Sequence, residues 1–194
     1  MEGRIFEVDT YGELPLWAQV LLASRLVRRA ALWLPDDLPA ETRQTLLAAC
    51  DAMDRCAIAG EWLKAERAVI EKAANMQPVA DACGAVNAVY YAADAAHAAH
   101  DSLDFSAAES ACTSSAGKAM AEAGKSTGLN PLQVRIFAAA DVDLLRFACK
   151  EAGVGRYGGL GTAVMERLCP VYPPDERDKG SRVRAERDPT GGAR

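Results

Sequence analysis

The stretch Val79-Ala-Asp-Ala-Cys83-Gly-Ala-Val86-Asn87-Ala-Val-Tyr90-Tyr-Ala-Ala-Asp94-Ala-Ala-His97-Ala-Ala-His100 decides the fold. Val79, Cys83, Val86, Tyr90, Ala93, His97 and His100 alternate steps of four and three without a slip, which is the period of one helical face. Asn87, Asp94 and Asp101 recur every seven residues beside that seam and border it with a polar strip. Alanine fills most of the remaining positions, so a neighbouring helix can approach closely. The expectation is a fourth helix, Val79 to about His100, at the close-packed centre of a helical bundle.

Composition extends that reading to the whole chain. Of 194 residues, 50% are hydrophobic but only 6% aromatic, and alanine fills the difference, with 17 of 39 alanines between positions 51 and 100. Pleated sheets need β-branched and aromatic residues to cover their faces, and doubly wound α/β folds need several Val/Ile-rich runs; neither is present. A chain of this length buries about 70% of its unfolded surface and needs no metal or crosslink to be stable.

The other helices follow from their punctuation. A short extended arm, Arg4 to Val8, precedes Pro15, which suits a first helical position; Leu16, Val20, Ala23, Val27, Ala31 and Leu34 then form one stripe, with Arg25, Arg28 and Arg29 on the opposite side. Pro35-Asp36-Asp37 breaks this helix. Pro39 opens a second, with Leu46, Cys50, Met53 and Ala57 inward and Gly60 as its left-handed stop, and Trp62 to Met76 forms a third. Ser106 and Glu109 make a capping box for a fifth helix ending near Gly124, and Asn130-Pro131 starts a sixth that ends at Gly153. A glycine-rich turn at 153–161 leads to a short helix, Thr162 to Leu168. This predicts an all-α, compact antiparallel bundle of five to seven helices as one domain over 1–170, followed by a flexible tail at 171–194. Arginine, lysine, aspartate and glutamate nearly balance in that tail, too polar to order alone.

Charge and targeting features narrow the function classes. A net charge of −5 gives the surface no footprint for nucleic acid or anionic lipid and favours neutral or basic partners. The longest apolar stretch, Leu14 to Leu34, carries three arginines, and the N-terminus lacks a secretory signal, so a cytoplasmic location is expected. There the six cysteines stay reduced, and without a C-x-x-C pair they read as small core residues.

Chemistry is sought first at Asp94-x-x-His97-x-x-His100. Helical steps of three place a carboxylate and two imidazoles on adjacent turns, where they could share a metal, with Cys83 a further ligand candidate. The competing reading is a pair of helix-face histidines held by ordinary hydrogen bonds, since these are the chain's only histidines and no second Glu-x-x-His motif completes a di-iron set. Gly124-Lys125-Ser126-Thr127 ends like a phosphate loop, but position 119 is alanine and no strand precedes it, so a capping turn with Gly124 as helix stop is expected. The glycines at 153–161 lack a βαβ context and read as a loop rather than a dinucleotide site. Asp141 stands within an apolar stripe and is expected to pair with an arginine such as Arg156 or to face a rim. Trp17, Trp33 and Trp62 read as core anchors, an exposed one being instead a partner contact.

Pro15-Leu16-Trp17-Ala18-Gln19-Val20-Leu21, the Leu34-Pro35-Asp36-Asp37 break before Pro39, the hinge at Ala57–Gly60 and the Ala/His stretch from Ala92 to His100 resemble the alanine-rich helical immunity proteins of bacterial polymorphic toxin systems. The similarity spans about residues 14–125; the single Ala-Ala-His-Ala-Ala-His here is fewer Ala-His repeats than that family carries. The resemblance implies a non-enzymatic protein that binds another protein, such as a toxin, effector or complex subunit, in bacterial conflict or defence, with no cofactor and no catalytic residue to transfer. Two alternatives stand beside it: a helical-bundle metal-binding protein or enzyme centred on His97, His100 and Asp94, and a structural homo-oligomer built on the alanine seam.

Overall fold

The computed structural model describes residues 12–32, 34, 38–76, 83–100, 105–126 and 131–168. The expected N-terminal arm, Trp33, Val79, Asp101, Asn130 and the tail lie outside them. Every regular element among the described residues is helical: α1 (Leu16–Leu32), α2 (Ala40–Ala59), α3 (Lys64–Ala74), α4 (Cys83–His100), α5 (Phe105–Ser126), α6 (Pro131–Glu151) and α7 (Gly161–Met165). The all-α bundle is therefore what the chain forms, with Pro15 and Pro39 each just before a helix as their fixed φ and missing N–H favour.

The most enclosed helix is α1, while α4, expected at the centre, also packs against four others, α1, α2, α3 and α5. Every residue from Leu16 to Val27 is buried, more than three turns without a solvent face, and α1 packs against α2, α4, α5 and α6. The polar side of α1 faces partners rather than water. Gln19 donates from Nε2 to the Leu14 carbonyl at 3.0 Å and accepts from Thr113 Oγ1 at 2.9 Å. Ser24 Oγ donates to Asp54 at 2.5 Å. Arg28 reaches Asp51 and Asp54 on α2 at 2.8 and 2.7 Å. Each covered polar group thus has a partner, the condition under which burying it is not prohibitive.

Helix α4 packs most extensively against α5, and its buried line is displaced from the expected seam. Ala85, Val89, Ala92, Ala96 and Ala99 are buried, as is Val86 of the expected seam, whereas Tyr90, His97 and His100 are exposed and Ala93 is half-buried. Both lines have the period of a helix. Because alanine occupies so many positions, the larger Tyr and His side chains marked the wrong one; small residues were the ones selected for close approach to α1 and α5.

The helix ends explain how the pieces are joined. Gly60 closes α2 at φ 74°, and its N–H bonds the Cys56 carbonyl at 2.8 Å. Gly153 (φ 65°) ends α6 in a Schellman turn, with Val154 N–H to the Cys149 carbonyl at 2.9 Å and Gly153 N–H to that of Lys150 at 3.2 Å. The glycine-rich segment that follows is a fastener. Leu160 N–H bonds the Ala57 carbonyl at 2.9 Å, Arg156 gives its carbonyl to the first amide of α1, Leu16, at 2.9 Å, and Gly159 lies directly on Gly60. The Arg156 guanidinium also grips the Gly12 carbonyl at 2.8 Å, the Leu14 carbonyl and the Glu109 carboxylate.

Three expectations are corrected here. Asp141 pairs with arginine as expected, but not with Arg156: it is buried on α6 between Arg25 (2.8 Å) and Arg29 (2.9 Å) of α1, with the Phe137 ring 5.2 Å from the Arg29 guanidinium. Periodicity places Arg25 and Arg29 opposite the apolar stripe but cannot tell whether water or a covering carboxylate meets them. Gly124 does not stop α5, which runs on to Ser126. Trp62 precedes α3 rather than opening it, because α3 begins at Lys64.

Candidate functional site

The exposed face of α4 gathers most of the chemistry left outside the core. Tyr90, Asp94 and His97, at steps of four and three, form its crest, with His100 one turn further. Tyr90 is 48% exposed and meets Tyr91 edge-on, the ring centres 5.4 Å apart. From α5, Lys118 places its ammonium 5.5 Å from the centre of the Tyr91 ring. Asn87 of α4 approaches Glu122 of α5 at 3.5 Å. On the other flank, the turn between α2 and α3 brings Trp62 edge-on to His97 at 6.0 Å, and the Trp62 backbone N–H donates to His100 Nδ1 at 3.3 Å. The Trp62 indole N–H is shielded from solvent and has no hydrogen-bond partner among the described residues.

Electrostatics single out Asp94. Partial burial raises its carboxyl above the ordinary aspartate value, opposed by the charges of His97 and Lys118. It makes no ion pair among the described residues. The carboxylate is thus partly desolvated without a direct counter-ion.

The metal-ligand candidates are brought to one helix edge but not into a shell. Asp94, His97 and His100 share the exposed face of α4, and one His100 ring nitrogen accepts the Trp62 bond. Among the described residues no group of three or more His, Cys, Asp or Glu is placed to hold a metal ion. Cys83, the first residue of α4, is eleven positions before Asp94, which is about 16 Å along the helix axis. It cannot join a shared site with the histidines.

The buried nucleophiles are equally constrained. Ser24 is fully enclosed. Burial pushes the Cys50 thiol strongly upward, that of Cys112 up to about 12 and that of Cys149 up to about 11, so all three are protonated at neutral pH. Lys125 and Ser126 have no described side-chain placement, and of the glycines at 153–161 it is Gly159 that packs against the α2 end, on the backbone of Ala59 and Gly60. No helix among the described residues is long and apolar enough to cross a membrane.

Sequence reasoning placed Tyr90 on the buried seam and gave Tyr91 and Lys118 no role. Only knowing which alanine line packs inward would have turned Tyr90 out. Comparison with family models, with curated proteins and with solved structures finds no match to this chain.

Proposed function

We propose that this chain is a protein-binding module that docks a partner protein on the outer face of α4, in an immunity-like or regulatory role of the kind its sequence resemblance implies. The observation that carries the reading is the exposed crest. In a chain with few aromatic residues, Tyr90 stands in solvent against Tyr91 on a helix packed on α1 and α5, with His97 two turns further along the same face and Trp62 edge-on to His97. Aromatic side chains on a preorganised surface supply large contact area at small entropic cost, which is why they dominate the energetic centres of interfaces. The acidic balance of the chain favours a partner with a basic face.

The test begins with a partner recovered on the full-length chain and continues by titration calorimetry. Tyr90→Ala is expected to weaken binding about tenfold or more, the loss that a hot-spot residue costs. Phe147→Ala removes a ring 59% exposed on α6 and is expected to leave affinity unchanged. Equal affinities for Tyr90→Ala and the unmodified chain refute the proposal.

A further inference from the structure

We propose that the partner presents an arginine to this face, its guanidinium stacked on the Tyr90 ring and hydrogen-bonded to the Asp94 carboxylate. The proposal rests on the docking-face reading and names the chemistry that the face selects.

Tyr90 and Asp94 are four residues apart on one helix, so they project from adjacent turns with their Cβ atoms about 5–6 Å apart. One guanidinium spans that gap, offering a flat surface to the ring and N–H donors to the carboxylate. The face already shows half of this arrangement one residue along, where Lys118 sits over Tyr91. Lys118 is thereby engaged with Tyr91, and Asp94 has no ion pair among the described residues. An incoming cation would add a direct ion pair to the longer-range charges of His97 and Lys118 that already act on Asp94. An anionic group would meet the Asp94 charge, with Glu122 further along the same α4–α5 face. A lysine could satisfy Asp94 but not stack as a plane while donating as a fork, and this separates arginine from lysine.

The full-length ¹⁵N-labelled chain is titrated with the blocked peptide Ac-Gly-Arg-Gly-Arg-Gly-NH₂, its lysine analogue and its citrulline analogue, followed by amide chemical shifts. The arginine peptide is expected to move the amides around Tyr90, Tyr91 and Asp94, the lysine peptide more weakly, and the uncharged citrulline peptide not at all. Asp94→Asn, a near-isosteric change at an exposed position, is expected to weaken the arginine peptide about tenfold, as loss of a charge-assisted pair does. Asp143→Asn on α6 is expected to change nothing. Shifts centred elsewhere, equal response to citrulline, or an unaltered Asp94→Asn titration overturn the proposal. With the recovered partner, sensitivity to Tyr90→Ala but not Asp94→Asn keeps the docking face and refutes the arginine; insensitivity to both refutes the two together.

Discussion

Removing the Asp141 carboxylate should be the most costly single change on the polar side of α1. Asp141 is 3% exposed and Arg25 6%. Its Oδ1 takes the Arg25 Nε and Nη2 donors at 3.1 and 2.8 Å, and Arg29 adds Nε at 3.3 Å and Nη2 at 2.9 Å to Oδ2. Asp141→Ala leaves two guanidiniums in a desolvated seam between α1 and α6. Breaking a buried pair from one side costs about 3–5 kcal/mol, because the surviving charge remains buried. For a domain of this size each kcal/mol lowers the melting temperature by about 2–4 °C, so the expected fall is roughly 6–20 °C. Circular dichroism at 222 nm, in thermal and urea unfolding, reads both quantities. Asp143→Ala, two residues along on the exposed side of α6, controls for helix propensity and is expected to cost about 0.5 kcal/mol or less. A cost for Asp141→Ala within about 1 kcal/mol of that control would refute the argument that α6 is held to α1 through this carboxylate.

Two further outcomes follow from local geometry. Gly60 and Gly153 both have positive φ, but a Cβ on Gly60 would lie 2.4 Å from the Gly159 backbone nitrogen, whereas one on Gly153 meets nothing within 4 Å. Gly153→Ala should therefore cost only the left-handed penalty of about 1–2 kcal/mol, and Gly60→Ala clearly more; equal costs by urea unfolding would contradict the direct backbone packing of Gly60 on Gly159. At Asp54, burial outweighs the Ser24 hydrogen bond and the Arg28 charge and raises the carboxyl above its usual value. The folded chain then holds this proton more tightly than the unfolded one, so the stability contributed by Asp54 falls as pH rises from about 4 through the raised folded pKa. Asp54→Asn is expected to gain on the unmodified protein across that rise, and a difference that is flat or runs the other way would exclude the shift.

The sequence carried the helices more fully than their faces. Proline before α1 and α2 and glycine after α2 and α6 act locally, through φ and missing or orphaned hydrogen bonds, and such signals need no tertiary context. Which side of a helix turns inward does need it. On α1 periodicity put the arginines opposite the apolar stripe without saying what meets them, and Asp51, Asp54 and Asp141 cover them from α2 and α6. Nothing near Arg25 in sequence announces a carboxylate 116 residues away. On α4 the alanine excess supported two seams at once, and packing chose the one made of the smallest residues. The site followed from that choice: Asp94, His97 and His100 were legible as a cluster, while Tyr90 became part of it only when the helix turned.

The enclosure of α1 also sets an order of events during synthesis. This helix is made before α2, α4, α5 and α6, the four helices that enclose it in the folded chain. Asp141, which neutralises Arg25 and Arg29, follows Arg25 by 116 residues. At about 5–20 residues per second the ribosome needs about 6–23 s to supply it. Throughout that interval Arg25 and Arg29 wait for the carboxylate that α6 brings, whereas Arg28 finds Asp51 and Asp54 on α2, 23 and 26 residues downstream.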